Sequence, residues 1–371
     1  MKLGGARAVS SVRGPAGGRP EPVTDFAGSM VDTPRLRQHV WTSGPDDGRP
    51  LLLVHGNITT GGFWRYAAER LPADVRVIAP DLRSFGRTEP KPVDATRGLR
   101  DMADDLHDLL EELGLSGRGD VHAAGWSMGG GVLQQYLVDH PGDLASVTLI
   151  APLSPYGFGG CRGADGEPCT PDWAGTGTAS PDFVRRLAAR DASSDDPQSA
   201  PREVLLTFFG PGPNRPNVDE DFLVDELLAT SVGDDHYPGD AATSEHWPNV
   251  GPGTRGVMNS MSGKYHDTSG LGDLVGGPPI TWLRGTADQV VSDRSMFDLA
   301  TLGELGVVPG WPGAEAMPPQ PMESQLRHVL ERYADNGGRW REVVLEGVAH
   351  GIPLEVPDVV AAEIEQTMAD A

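Results

Sequence analysis

The chain has 371 residues, 38% of them hydrophobic and 22% charged, a balance that buries a core and excludes an intrinsically disordered polypeptide. That length exceeds one average domain but suits a single large α/β core carrying an insertion. A formal charge of −23 repels phosphate backbones and anionic lipid, which excludes nucleic acid and membrane surfaces as expected partners.

Residues 1–30 are rich in Gly, Pro and Arg and lack periodicity, so they read as a flexible or surface-lying arm. Arg7, Arg13 and Arg19 interrupt it, and it holds no continuous apolar stretch of the kind a signal peptide or membrane span needs. Cytoplasmic residence is the resulting expectation. Six short apolar runs follow, Leu51–Val54, Val75–Ala79, Val121–Ala124, Val147–Ala151, Ile280–Leu283 and Val343–Leu345, whose brevity and branched side chains fit buried parallel strands. Amphipathic patterns lie between them. Over Leu99–Leu113, Met102, Leu106, Leu109, Leu110 and Leu113 share one face and Asp101, Asp104, Asp105 and Asp108 the other. Alternating strand and helix predicts an α/β fold with a parallel sheet. The alternation breaks between residues 153 and 277, where Pro/Gly loops and helical stretches near Pro181–Arg190, Pro201–Phe209 and Asp219–Ser231 predict an inserted cap. The core is then 31–152 together with 278–371. Cys161 and Cys169 are too few for a disulfide framework; reduced thiols are expected, with their pairing left open. Thr301–Pro321 reads as an ordered loop near the site, followed by the amphipathic segment Met322–Ala334.

The strongest chemical signal is Gly125-Trp126-Ser127-Met128-Gly129, between an apolar run and the helical pattern Gly131–Asp139. A tight strand-to-helix turn there exposes Ser127, and the flanking glycines relieve Cβ clashes. Leu51–Val54 ends in His55-Gly56-Asn57, where the N–H of Asn57 or Ile58 is a candidate donor to a substrate carbonyl oxygen. The N–H of Met128, opening the next helix, is the second candidate. His350, in a glycine-flanked loop after the last apolar run, is the candidate general base. Asp288, beyond the Gly285 turn, is the candidate acid that fixes its tautomer.

These motifs, in the chain order Ser127, Asp288, His350, resemble the α/β-hydrolase superfamily, as does the run Pro80-Asp-Leu-Arg83-Ser-Phe-Gly86. The resemblance spans about Arg37 to Met368. It implies an α/β-hydrolase fold, a central, mostly parallel eight-stranded sheet flanked by helices with an inserted helical cap, and acyl transfer through an acyl-enzyme. Ser84 stands where that superfamily's loop usually carries Gly, so a different backbone conformation is possible there. His-Gly-Asn is similar to haloalkane dehalogenases and epoxide hydrolases, but those use an aspartate at the position of Ser127.

Other candidates have plainer readings. His55 is expected to support its own loop, Asp293 and Asp298 to cap or face solvent, and Asp234-Asp235-His236 to form a surface loop rather than a metal site. Trp126, Phe63 and Trp64 are expected to line the substrate pocket; Phe208, Phe209, Tyr237, Trp247 and Tyr265 are left to the core of the cap. The expected function is hydrolysis of a carboxylic ester, lactone or thioester of a small organic substrate, with no metal or cofactor. The alternatives are a carbon–carbon bond hydrolase of a dioxo acid, for which Arg83, Arg87, Arg185 and Arg186 are available cations, a natural-product cyclase or lyase, or a ligand-binding protein. Neither substrate identity nor oligomeric state is legible.

Overall fold

Each of the six apolar runs lies in a strand of one central sheet. The computed structural model describes residues 26–209 and 218–371. Its sheet strands are β1 (Ala27–Asp32), β2 (Arg37–Ser43), β3 (Arg49–Val54), β4 (Val75–Pro80), β5 (Val121–Trp126), β6 (Leu144–Ile150), β7 (Ile280–Gly285) and β8 (Trp340–Leu345). They lie in the order β1-β2-β4-β3-β5-β6-β7-β8. From β4 to β8 every pairing is parallel, while β1 and β2 run antiparallel at one edge.

No apolar run marks those two edge strands. β1 is largely exposed, and β2 buries Gln38, His39 and Ser43 beside Val40, so polar residues interrupt its pattern; Gln38 Nε2–H donates to Asp81 O at 3.2 Å and His39 Nδ1 lies 2.8 Å from Asp81 Oδ2. β1 starts at Ala27, so the last residues of the expected arm lie in an exposed edge strand. Residues 1–25 lie outside the described part of the chain.

Among the described residues the helices of eight residues or more are α1 (Arg100–Glu112), α2 (Met128–Asp139), α3 (Pro181–Ala188), α4 (Glu220–Leu227), α5 (Met322–Asp335) and α6 (Pro357–Ala369). α1 packs on α2, and α5 joins that layer through the helical turn Ser269–Asp273; α6 packs on β6 and on the short helix Arg65–Ala68. β5 is buried along its whole length, as a strand covered on both faces must be.

The segment 153–277 is helical at each of the three expected stretches, Pro181–Ala188, Pro201–Val204 running on into Leu205–Phe209, and Glu220–Leu227. Besides α3 and α4 it holds three short ladders, Cys161–Arg162 with Glu167–Pro168, Val232–Gly233 with Tyr237–Pro238, and Ala241–Thr243 with Val250–Pro252. Strands of two or three residues are too short to show an alternating pattern.

The chain leaves β3 for β4 on one side and returns to β5 on the other. That reversal opens a crevice at the carboxyl ends of β3 and β5, where open parallel sheets bind ligands. His55-Gly56-Asn57 and Ser127 follow those two ends directly.

Candidate active site

Ser127 joins β5 to α2 with φ 57° and ψ −122°, a backbone region costly for any residue with a Cβ. Hydrogen bonds hold it there: its N–H donates to Ile150 O at 2.9 Å, and its carbonyl accepts from Gly130 at 2.9 Å and Leu153 at 3.0 Å. The flanking glycines are required by close approach. A Cβ on Gly125 would overlap the backbone of Gly129 and Gly130, and one on Gly129 would overlap the carbonyls of Val54 and His55.

His350 Nε2 lies 3.0 Å from Ser127 Oγ, and His350 Nδ1 lies 2.8 Å from Asp288 Oδ2. All three side chains are buried. Asp288 Oδ1 accepts the N–H groups of Val290 at 2.7 Å and Val291 at 3.0 Å, which fixes the carboxylate. The loops that carry Asp288 and His350 bind each other: Thr286 N–H donates to Leu345 O and Ala287 N–H to Val348 O, both at 3.0 Å. Gly285 permits this, since a Cβ there would overlap Val348 O. His350 is clamped further, its carbonyl accepting Trp126 Nε1–H at 2.9 Å.

His55 performs the supporting role expected of it. Burial pushes its pKa down to about 4, so it is neutral, with Nδ1–H donating to Gly56 O at 2.8 Å and Nε2 accepting from Leu82 N–H at 2.8 Å. Asp81 ties the same two loops, accepting from Gly61 N–H at 2.9 Å and Arg87 N–H at 3.0 Å. The segment Asn57–Ile58 is thereby held beside the elbow, with Ile58 at φ 51°. A Cβ on Gly56 would stand 3.0 Å from Ser127 Cβ, so the glycine keeps this approach open. Met128 N–H is the first of α2, a position with no carbonyl one turn earlier in the helix to accept it. Ser84 keeps a left-handed φ of 74°, and its carbonyl accepts Ser231 N–H at 2.8 Å.

Above the elbow lies a cavity of about 730 Å³, its open mouth included, lined by Asn57, Ser127 and Met128 and by Leu153, Phe158, Gly159, Thr176, Phe209, Met258, Met261, Val290, Val291, Phe297 and Asp298, among others. The expectation for the aromatic residues before and after the motifs needs correction. Trp126, Phe63 and Trp64 are each about 1% exposed and lie in the core rather than in this wall. Side chains alternate along a strand, and Trp126 turns under the His350 loop. Phe209 does line the cavity, 5.7 Å from the His350 ring and 5.9 Å from Phe297 between centroids. Its only sequence signal was aromatic content in the insert.

The four arginines are engaged elsewhere. Arg83 is buried against Asp105 at 2.6 and 2.7 Å, Arg87 pairs with Glu226 at 2.8 Å, Arg185 with Asp182 at 3.1 Å and Arg186 with Asp191 at 2.7 Å. None lines the cavity. Asp293 accepts from Ser324 at the start of α5, and Asp298 N-caps Leu299–Glu304, as capping predicted, but Asp298 also faces the cavity. Asp234 and Asp235 pair with Arg255, and His236 meets Ser84 Oγ at 3.1 Å.

Among the described residues one group gathers metal-type ligands, His107, His140 and Asp143. Its imidazoles stack face to face, 3.9 Å apart and 9° from parallel. Their lone pairs lie in the ring planes and run side by side rather than converging on one ion.

A family model described as alpha/beta hydrolase fold matches residues 49–302. A haloalkane dehalogenase of Mycobacterium marinum is 46% identical over 62 residues, which is 16% of this chain and 21% of that protein. A monoacylglycerol lipase of Mycolicibacterium smegmatis is 30% identical over 132 residues, 34% of this chain and 45% of that protein. The alignments thus span less than half the length of these curated relatives. Among solved structures, the esterase RhEst1 from Rhodococcus sp. ECU1013 superposes with a TM-score of 0.56 at 21% identity, covering 93% of this chain and 99% of the esterase. Carboxylesterase CesB (YbfK) from Bacillus subtilis gives 0.55 at 16% identity, covering 93% and 92%. With the family model covering more than half of its length and the sheet arranged as described, the chain belongs to the alpha/beta hydrolase fold family.

Proposed function

We propose that this protein is a serine hydrolase that cleaves a carboxylic ester, lactone or thioester of a small organic substrate through an acyl-enzyme. The observation that carries the reading is the continuous hydrogen-bond relay from Ser127 Oγ through His350 to Asp288. In this reading Ser127 Oγ attacks the carbonyl carbon as its proton passes to His350 Nε2, and Asp288 stabilises the imidazolium that forms. The oxyanion is received by the N–H of Met128 and one from Asn57–Ile58. His350 returns the proton to the leaving alcohol or thiol. It then draws a proton from water, which attacks the acyl carbon and frees Ser127. Residues 153–277 act as the cap, contributing Leu153, Phe158, Phe209, Met258 and Met261 to the cavity wall.

Two comparisons support this choice. Relatives named as lipases and esterases share the family. The dioxo-acid reading asks for a cation in the pocket, and the arginines available for it are paired elsewhere. Among the described residues no helix is long and apolar enough to cross a membrane, and the expected substrate is a small molecule met outside the bilayer.

The test is turnover of short- and medium-chain p-nitrophenyl esters together with fluorophosphonate labelling followed by intact mass. Wild-type protein is expected to hydrolyse and be labelled, and Ser127→Ala, confirmed folded, to lose both, with kcat down on the order of 10⁴-fold or more. Turnover that survives in the variant would sink the acyl-enzyme mechanism and turn attention to His350 acting alone.

A further inference from the structure

The cavity wall is largely apolar, yet it contains one buried acid that the relay does not use. Asp298 is 3% exposed and is the one charged side chain among the described residues of that wall. Resting on the acyl-transfer reading, we propose that Asp298 determines specificity: the cavity takes an ester whose acyl or alcohol chain carries a hydrogen-bond donor, a hydroxyl or a protonated amine, which the Asp298 carboxylate accepts.

The carboxylate has spare capacity. Oδ1 accepts Ala300 N–H at 3.0 Å and Oδ2 accepts Gln320 N–H at 2.8 Å. An ionised carboxylate offers about four acceptor sites, so two backbone donors leave it half filled. Among the described residues no arginine, lysine or histidine pairs with it, whereas the other buried acids, Asp81, Asp101, Asp105, Glu226 and Asp288, each have such a partner. Burial accordingly pushes its carboxyl pKa up against those two hydrogen bonds. A donor brought by a ligand supplies what the fold withholds, and a ligand carboxylate at that place is repelled.

A glycine stands beside Oδ1: Gly159, with φ at 79°, lies where a Cβ would meet Oδ1 at 3.8 Å and the Thr176 methyl at 3.6 Å, ordinary contact distances. Gln320 braces both residues, its N–H on Asp298, its Oε1 accepting Gly159 N–H at 2.5 Å and its Nε2–H donating to Gly157 O at 3.1 Å.

The experiment compares kcat/KM across two matched series, p-nitrophenyl alkanoates and alkyl acetates, each ending in a methyl, hydroxyl, amine or carboxylate. In at least one series the hydroxyl or amine ester is expected to exceed the methyl ester by about tenfold or more, the scale of a hydrogen bond to a charged group, with the carboxylate ester lowest. Asp298→Asn should collapse the amine preference toward unity and, if hydroxyl is the natural donor, retain part of the hydroxyl preference. No donor preference in either wild-type series overturns the proposal. So does a parallel fall of all esters in Asp298→Asn with the ratios kept, which assigns Asp298 to capping. Fluorophosphonate labelling and methyl-ester turnover separate this from failure of the acyl-transfer reading. Should both be absent, the melting-temperature shift given by ω-amino and ω-hydroxy alkanols against the plain alkanol decides the same question, and equal shifts overturn it.

Discussion

Ser127 illustrates how a few atoms of backbone decide whether a hydroxyl can act. Its positive φ turns the side chain out of the sheet, and the neighbouring glycines allow strand and helix to close around it. Gly129→Ala places a methyl against the carbonyls of Val54 and His55, so a loss of about 1–3 kcal/mol, the range of overpacking, is expected in urea denaturation together with reduced ester turnover. Unchanged stability would mean that the elbow can open. Asp288→Asn offers His350 the wrong partner while keeping the side chain's volume. A fall in kcat on the order of 10⁴-fold at saturating ester is expected, with KM little changed.

The loops at the sheet's carboxyl edge act as a set of braced elements. His55 and Asp81 bind the loop after β3 to the loop after β4, and the loops after β7 and β8 share backbone hydrogen bonds. Beneath them Arg83 crosses to α1, where Asp105 is fully buried and Asp101 lies 3.2 Å away. Arg35 also reaches Asp105 at 2.8 Å. Arg83→Met strands part of a buried negative charge, and a loss of about 3 kcal/mol is expected by chemical denaturation, at the lower end for a broken buried pair because Arg35 remains. If Arg83 instead bound a substrate carboxylate, the variant would keep its stability and raise KM for acidic esters alone.

At the scale of the molecule, an acidic chain carries its pH response in a few buried carboxyls. Glu323, in the first turn of α5, is raised from 4.5 to about 7 by burial, opposed by Arg284 at 3.4 Å and reinforced by Asp293 and Asp288. Its folded-state pKa lies above the unfolded value, so the folded state binds the proton more tightly. The stability this contributes is complete below about 4.5 and is lost as pH rises through about 7. Thermal melts of Glu323→Gln against wild type should therefore converge at low pH and separate between those limits, the variant melting higher at neutral pH. Parallel curves would show that Glu323 is hydrated and titrates normally.

The sequence by itself determined the six parallel strands, the principal helices and the contexts around Ser127, Asp288 and His350, because each depends on residues adjacent in the chain: branched apolar runs, a 3.6-residue repeat, glycines at a tight turn. It passed over β1 and β2, where solvent exposure or buried hydrogen-bonded polar groups break the apolar pattern, and the short ladders of the insert, which are briefer than any period. Only the tertiary structure decided what faces the cavity. Trp126, Phe63 and Trp64 stand next to the motifs yet point into the core, whereas Phe209, Met258 and Asp298 come to the wall from distant segments. Pairing decided the arginines as well, since a guanidinium is available to a ligand only if no acid of the fold has claimed it. Asp298 belongs to both levels: its cap is local and legible, but the cavity wall it joins is assembled from segments distant in the chain.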